Sequence, residues 1–88
     1  MENMNDFGLM CICAARYAIG RRTYVSSAIP RFITSNLDKL NENDLRVLRR
    51  DIKEEIRRGN YGDENIDKPY WDTFVSKLDE VLGNTNDY

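Results

Sequence analysis

The sequence predicts an all-α protein, a small bundle of about four helices that forms a single domain over residues 1–88. Apolar residues recur at steps of three and four along four segments, the spacing of one helical face. Glycine follows three of these segments, where it commonly ends a helix. The 88 residues, 41% of them hydrophobic, can supply one core near the lower size limit for unaided folding. Residues 1–5 and 84–88 are expected to be flexible.

The first helix is expected over residues 6–19. Gly20 stands at its carboxyl end, and the arginines around that glycine suit the negative end of the helix dipole. Apolar positions cover much of its circumference, which predicts a helix buried on more than one side. These positions are Phe7, Leu9, Met10, Cys11, Ile12, Ala14, Ala15, Ala18 and Ile19.

The second helix is expected to begin at Ser26 or Ser27 and to end near Leu40. Either serine can cap a helix, which places Pro30 in or just past the first turn, where its missing N–H is tolerated. Its apolar stripe comprises Ile29, Phe32, Ile33, Leu37 and Leu40.

The third helix has the clearest start and stop signals. Asn41 or Asn43 caps its amino end, and Gly59 follows its last turn. Its narrow apolar seam comprises Leu45, Leu48, Ile52 and Ile56.

The fourth helix is expected to begin at Asp67 or Lys68, with Pro69 in its first turn, and to end at Gly83. Its broad apolar face comprises Tyr70, Trp71, Phe74, Val75, Leu78, Val81 and Leu82. These aromatic residues are expected in the core; the alternative is that Tyr70 or Trp71 protrudes as an anchor for a partner.

The composition argues against an enzyme. The chain has no histidine, the commonest general base, and its five glycines are scattered instead of forming a phosphate-binding loop. Cys11 and Cys13 could supply two metal ligands, but no further cysteine or histidine completes a site. We therefore expect a non-enzymatic protein without a cofactor or metal. A hydrolytic or metal site built on two carboxylates is the alternative left open.

No segment resembles an export or membrane signal. The apolar run 7–15 is far shorter than the ~20 residues of a membrane helix. Acidic residues precede it, where a signal peptide carries basic ones. We therefore expect a soluble protein of the cytoplasm.

Basic and aromatic residues are densest between positions 16 and 24. The candidates for contact with a partner there are Arg16, Tyr17, Arg21, Arg22 and Tyr24. Guanidinium groups form paired hydrogen bonds with carboxylates or phosphates, and tyrosines add contact area at low entropy cost. This pattern predicts a docking surface. In the alternative interpretation both tyrosines complete the core, while the arginines cap a helix and pair with acids of the C-terminal third.

The charge distribution leaves that alternative open. Residues 1–59 contain 11 basic and 8 acidic side chains, a net charge of +3, whereas residues 60–88 contain 2 and 7, a net charge of −5. The two ends of the domain can therefore attract each other.

A second group of basic residues lies along the third helix. Arg46, Arg50, Lys53 and Arg57 recur at helical spacing and are expected to share one face, which could follow the phosphates of a nucleic acid. Acidic residues interrupt this row, so a solvated, salt-bridged face is the favoured interpretation.

Three strings resemble a class of small proteins encoded by phages and prophages of Gram-positive bacteria. They are Arg-Tyr-Ala-Ile-Gly-Arg-Arg-Thr-Tyr at 16–24, Arg-Asp-Ile-x-x-x-Ile at 50–56, and Lys-Pro-x-Trp at the start of the helix over 68–82. The resemblance implies a phage setting. Small phage proteins without catalytic residues often act as stoichiometric inhibitors of host nucleases, CRISPR effectors or replication factors.

We therefore expect a phage-encoded binding protein that docks on a host or anti-phage defence protein, as anti-CRISPR proteins do, in the cytoplasm of an infected or lysogenic bacterium. The alternative is a small nucleic-acid-binding regulatory protein that uses the basic face of helix three. Self-assembly into a homo-oligomer is a third, lower-ranked expectation.

Overall fold

Four α-helices and one short 3-10 helix form the described part of the chain. The computed structural model describes residues 6–21 and 25–83. Its elements are α1 (Asp6–Ala18), α2 (Val25–Thr34), the 3-10 helix (Leu37–Lys39), α3 (Glu42–Arg57) and α4 (Lys68–Leu82). The predicted all-α fold with four helices is confirmed. The terminal residues expected to be flexible, 1–5 and 84–88, lie outside the described ranges.

The four helices pack as a ring around a single core. The main contacts join α1 to α3, α3 to α4, α4 to α2 and α2 to α1, so α1 and α4 lie across the ring from each other. The largest fully buried apolar side chains are Trp71, Phe74, Ile33, Leu48, Ile52 and Leu78. The rings of Trp71 and Phe74 meet edge to face with their centroids 5.5 Å apart, a favourable aromatic geometry.

Small residues line the side of α1 that faces the core. Gly8, Cys11, Ala15 and Ala18 are buried at steps of three and four, which is one stripe of the helix. Because these side chains are short, the backbone of α1 can approach its neighbours closely. The larger Ile12 is buried beside this stripe.

The amino end of α3 carries a buried carboxylate that also meets α1. Asn41 and Asp44 form a reciprocal capping box: the Asp44 N–H donates to Asn41 Oδ1 at 2.8 Å, and the Asn41 N–H donates to Asp44 Oδ2 at 3.3 Å. The Asp44 side chain is completely buried. It lies so close to Gly8 that a Cβ atom at that position would fall within 2.7 Å of both carboxylate oxygens. Any other residue would require the Asp44 side chain or the helix backbone to shift.

The second helix differs from its prediction at both ends. It begins at Val25, so Ser26 and Ser27 occupy positions inside the helix and not the expected cap position, and Pro30 is its sixth residue. Proline cannot donate to the carbonyl four residues earlier, which costs the helix one hydrogen bond. Pro30 is buried, as is Ile33 one turn later.

Side-chain hydrogen bonds end α2 well before the expected residue, Leu40. The Asn36 amide donates to the Phe32 carbonyl at 2.7 Å, and the Thr34 hydroxyl donates to the Arg31 carbonyl at 3.1 Å. Polar side chains that take up carbonyls in this way compete with continuation of the helix. The chain then tightens into the 3-10 helix.

The ends of α3 and α4 agree with their predictions. Asn41 is the cap of α3. Asp67 occupies the cap position of α4, and Pro69, two residues later, lies in the first turn. Gly83 ends α4 in the left-handed conformation, with φ 67°. The two helices are joined by Arg49, which is only 4% exposed and donates to Asp79 Oδ1 at 3.0 Å.

The contact between Gly8 and Asp44 generates a test of the packing. We expect Gly8→Ala to destabilise the protein by about 1–3 kcal/mol, because the added methyl group overlaps a buried carboxylate held by the capping box. Urea unfolding followed by circular dichroism measures this change. Cys13→Ala, an exposed substitution on the same helix, is the control and should leave the unfolding midpoint nearly unchanged. Equal midpoints for the two variants would contradict the close contact.

Candidate docking surface

The turn after α1 places an arginine on top of a tyrosine. Gly20 has a φ of 93°, in the left-handed region that favours glycine, and turns the chain so that Arg21 folds back along the helix. Its Nε donates to the Tyr17 carbonyl at 3.2 Å, and its guanidinium carbon lies 4.1 Å from the centre of the Tyr17 ring. This is a cation–π contact on the surface, because Tyr17 is 61% exposed.

The geometry separates the two interpretations of this stretch. Tyr17 does not complete the core, so that part of the alternative is wrong. Arg21 does bind a carbonyl in the last turn of α1, as a capping arginine does. Arg22 and Tyr24 lie outside the described residues.

Arg16 lies beside this stack and reaches towards α3. Its Nη1 is 3.9 Å from Asp51 Oδ2, at the limit of an ion pair, and its side chain remains well exposed. Asp51 belongs to α3, so among the residues that the structure describes this arginine pairs within the basic part of the chain and not with the acidic C-terminal third. A surface pair of this length contributes little free energy, and Arg16 can exchange it for a carboxylate of a partner.

Arg16, Tyr17 and Arg21 border a shallow groove of about 450 Å³, which we call the corner groove. Its other described lining residues are Ile19, Gly20, Gly59, Asn60 and Gly62. The lining therefore combines two guanidinium groups with the backbone of two turns. Such a set of donors suits a carboxylate-bearing segment of another protein.

The basic row of α3 shares one face, as the sequence predicts. Arg46, Arg50, Lys53 and Arg57 line one groove of about 600 Å³ along the helix.

Each member of that row has an acidic neighbour. Arg46 pairs with Glu42 and Arg57 with Glu54, each within α3, while Lys53 Nζ lies 3.7 Å from Asp79 Oδ1 in α4. Arg50 Nε lies 3.3 Å from Asp51 Oδ1. This arrangement agrees with the favoured interpretation, a solvated face crossed by salt bridges.

The ion pair between Glu54 and Arg57 changes the pKa of both side chains. Hydrogen bonding from Arg57 is the main cause that lowers the pKa of Glu54, and the same bond raises the pKa of Arg57. Glu54 therefore remains ionised near neutral pH, and it keeps offsetting the positive charge of the row.

The two cysteines have different environments. Cys11 is buried, and the loss of water around it raises the pKa of its thiol, with a further contribution from the charge of Asp44. A thiol with a raised pKa is a poor nucleophile. Cys13 is exposed on the opposite side of α1. Within the described residues, no group of three or more histidine, cysteine or acidic side chains is placed to hold a metal ion.

Of the two aromatic residues Tyr70 and Trp71, both expected in the core, only Trp71 is buried. Trp71 is completely buried, so the alternative in which it anchors a partner is wrong. Tyr70 is 42% exposed and is therefore accessible on the surface of α4.

An apolar surface on α1 was not predicted. Leu9 and Met10 are 51% and 68% exposed, and Cys13 and Tyr17 continue the same side of the helix. We call these four residues the outer face of α1. The prediction that α1 is buried on more than one side is therefore wrong within a single chain. The apolar residues around nearly the whole circumference of α1 are the sequence signal of this surface. The same pattern is also typical of a helix buried in a core.

The described helices include none that is both long and apolar enough to cross a membrane.

The difference between the cysteines can be measured directly. In the folded protein we expect iodoacetamide to modify Cys13 within minutes and Cys11 far more slowly, because Cys11 is buried and its thiol pKa is raised. Mass spectrometry of peptides reports each site. In urea both cysteines should react alike, which serves as the control. Equal reactivity in the folded protein would contradict the burial of Cys11.

Comparison with known proteins adds no family assignment. The chain matches no protein-family model, no curated protein and no solved structure. The resemblance to small phage proteins therefore remains a prediction.

Proposed function

We propose that this protein is a phage-encoded, non-enzymatic binding protein that docks on a host or anti-phage defence protein and inhibits it. The observation that carries the proposal is the exposed stack of Arg21 on Tyr17, with Arg16 beside it at the corner groove. An arginine and a tyrosine held together on the surface need little further ordering when a partner binds, so the entropy cost of docking is small. The proposed setting is the bacterial cytoplasm.

The chemistry of the corner groove indicates what kind of partner surface it can hold. Arg16 and Arg21 present planar donors, and the only acidic side chain paired with either of them in the described residues is Asp51, at 3.9 Å. An acidic segment of the partner can replace this long contact with shorter, paired hydrogen bonds. The exposed Tyr17 ring adds apolar area beside the charges. Docking of this kind weakens as salt is added.

The nucleic-acid alternative has weaker support. The basic row of α3 faces a groove, but Glu42, Glu54 and Asp79 pair with three of its four cations. Binding to phosphates requires these pairs to open, and the attraction that remains is reduced by the acids nearby.

Affinity capture from a lysate of a bacterial host tests the docking proposal. We expect Arg21→Glu to lower recovery of the captured protein at least tenfold, because it removes the stacked cation and repels an acidic partner. Arg21→Lys keeps the charge but loses the planar stack, and we expect an intermediate loss. Lys77→Glu is the matched charge-reversal control, because Lys77 is exposed on α4, across the ring from α1. Capture that is equal for Arg21→Glu and Lys77→Glu would refute docking through the corner groove.

Titration of labelled DNA and RNA tests the alternative. We expect no saturable binding even at low salt, because acidic neighbours offset the basic row. Saturable binding that is lost on Arg46→Glu would instead favour the nucleic-acid function.

A further inference from the structure

No other helix of the described chain covers the outer face of α1, where the contact already described is the stack of Arg21 on Tyr17. The inner side of α1 packs on α2 and α3, and the outer side leaves Leu9, Met10 and Tyr17 more than half exposed. Together with Cys13 these residues recur at steps of three and four, the spacing of a seam that packs against another helix. Exposure of this much apolar surface along one helix is typical of a docking site.

The charges at the ends of this face are opposite. Asp6 is exposed in the first turn of α1, whereas Arg16 and Arg21 lie at its carboxyl end. A helix that crosses this face antiparallel to α1 therefore needs a basic end beside Asp6 and an acidic end beside the arginines. The sequence of α1 itself meets this requirement.

We propose that the outer face of α1 binds a second copy of this chain, with the two α1 helices antiparallel about a twofold axis at Cys13. Leu9 and Tyr17 are equally far from Cys13, so each Leu9 then faces Tyr17 of the second copy. Asp6 of each chain lies near the basic end of the other. A parallel pair would instead place like charges together, which is unfavourable. Self-complementarity of this kind is the requirement for a twofold interface.

The expected size of the interface is typical of a weak, reversible contact. A helix of 13 residues is about 20 Å long, and one pair of such helices covers less than the ~1,200–2,000 Å² of a standard stable interface. We therefore expect a reversible dimer in the micromolar range. Phe32 is also exposed and lies beside Phe7 of α1, with ring centroids 6.3 Å apart, so it can add apolar area at the edge.

The pairing goes beyond the proposed function and does not depend on it. The corner groove lies at the carboxyl end of α1, where residues of that end line it together with Asn60 and Gly62. An antiparallel pair therefore carries its two corner grooves at opposite ends. Arg16, Tyr17 and Arg21 belong to both the corner groove and the paired surface, so pairing and docking compete for them.

Sedimentation velocity of the full chain under reducing conditions tests the dimer. We expect the average mass to rise from monomer to dimer between low micromolar and submillimolar concentration. Met10→Lys should remain monomeric with an unchanged helical circular-dichroism spectrum, because it places a cation against Arg16 of the second copy. Val81→Lys, a matched change on the exposed side of α4, should dimerise as the parent does. A monomeric parent at all concentrations would overturn the inference.

Cross-linking tests the position of the axis. Diamide oxidises two thiols to a disulfide and takes up their two protons and two electrons, becoming the hydrazine. A disulfide requires Cα atoms no more than ~7 Å apart, so rapid formation of a Cys13–Cys13 dimer reports the proposed geometry. The matched control is Ser76→Cys in a Cys13→Ser background, an exposed cysteine on α4 that should cross-link slowly. Equal rates at the two positions would overturn the proposed axis.

The two proposals fail separately. Self-association is measured on the purified chain alone, whereas docking is measured by capture from lysate. A monomeric chain that still captures a protein through Arg21 removes only the dimer. A dimer that captures nothing removes only the docking function.

Discussion

The buried carboxylate of Asp44 is the contact on which the arrangement of the helices most depends. It closes the capping box at the start of α3, and it lies against Gly8 in the first turn of α1. One side chain thus organises the beginning of one helix and limits how another can cross it. Burial of a carboxylate is costly unless it is hydrogen-bonded, and here the capping box supplies a bond to Oδ2, whereas Oδ1 has no hydrogen-bond partner among the described residues. In this arrangement the side of α1 that carries Gly8 faces the amino end of α3.

The rotation of α1 determines which of its residues reach the solvent. With Gly8 held against Asp44, the buried stripe continues through Cys11, Ala15 and Ala18. The larger side chains of Leu9 and Met10 are then directed outward, and Tyr17 follows them. The first turns of α1 therefore carry both the close contact between Gly8 and Asp44 and the exposed apolar side chains of Leu9 and Met10.

Local signals predicted the third and fourth helices well. The cap at Asn41 and the stop at Gly83 each depend on a few neighbouring residues, so their effect is visible in the sequence. The end of α2 was not predictable in that way, because Asn36 bonds to the Phe32 carbonyl with its side chain and interrupts a continuing apolar pattern. Competition between side chain and backbone for one carbonyl is not encoded by periodicity alone.

The candidate site was predicted in composition but not in orientation. The dense group of arginines and tyrosines identified the corner, yet only the fold shows that Tyr17 is exposed beneath Arg21. The usual assumption that large apolar residues face the core failed for Leu9 and Met10, because small residues occupy the inner side of α1. Charge spacing along α3 did place its basic row on one face, but the pair between Lys53 and Asp79 required knowledge of how α4 packs.

The position of Trp71 gives the molecule a built-in optical reporter. It is the single tryptophan of the chain, it is fully shielded from solvent, and its indole N–H has no hydrogen-bond partner among the described residues. An indole in such apolar surroundings emits at short wavelength, and its emission moves to the red once water reaches it. Because the residue lies in α4, across the ring from α1, its fluorescence reports the integrity of the interior independently of events on the α1 surface.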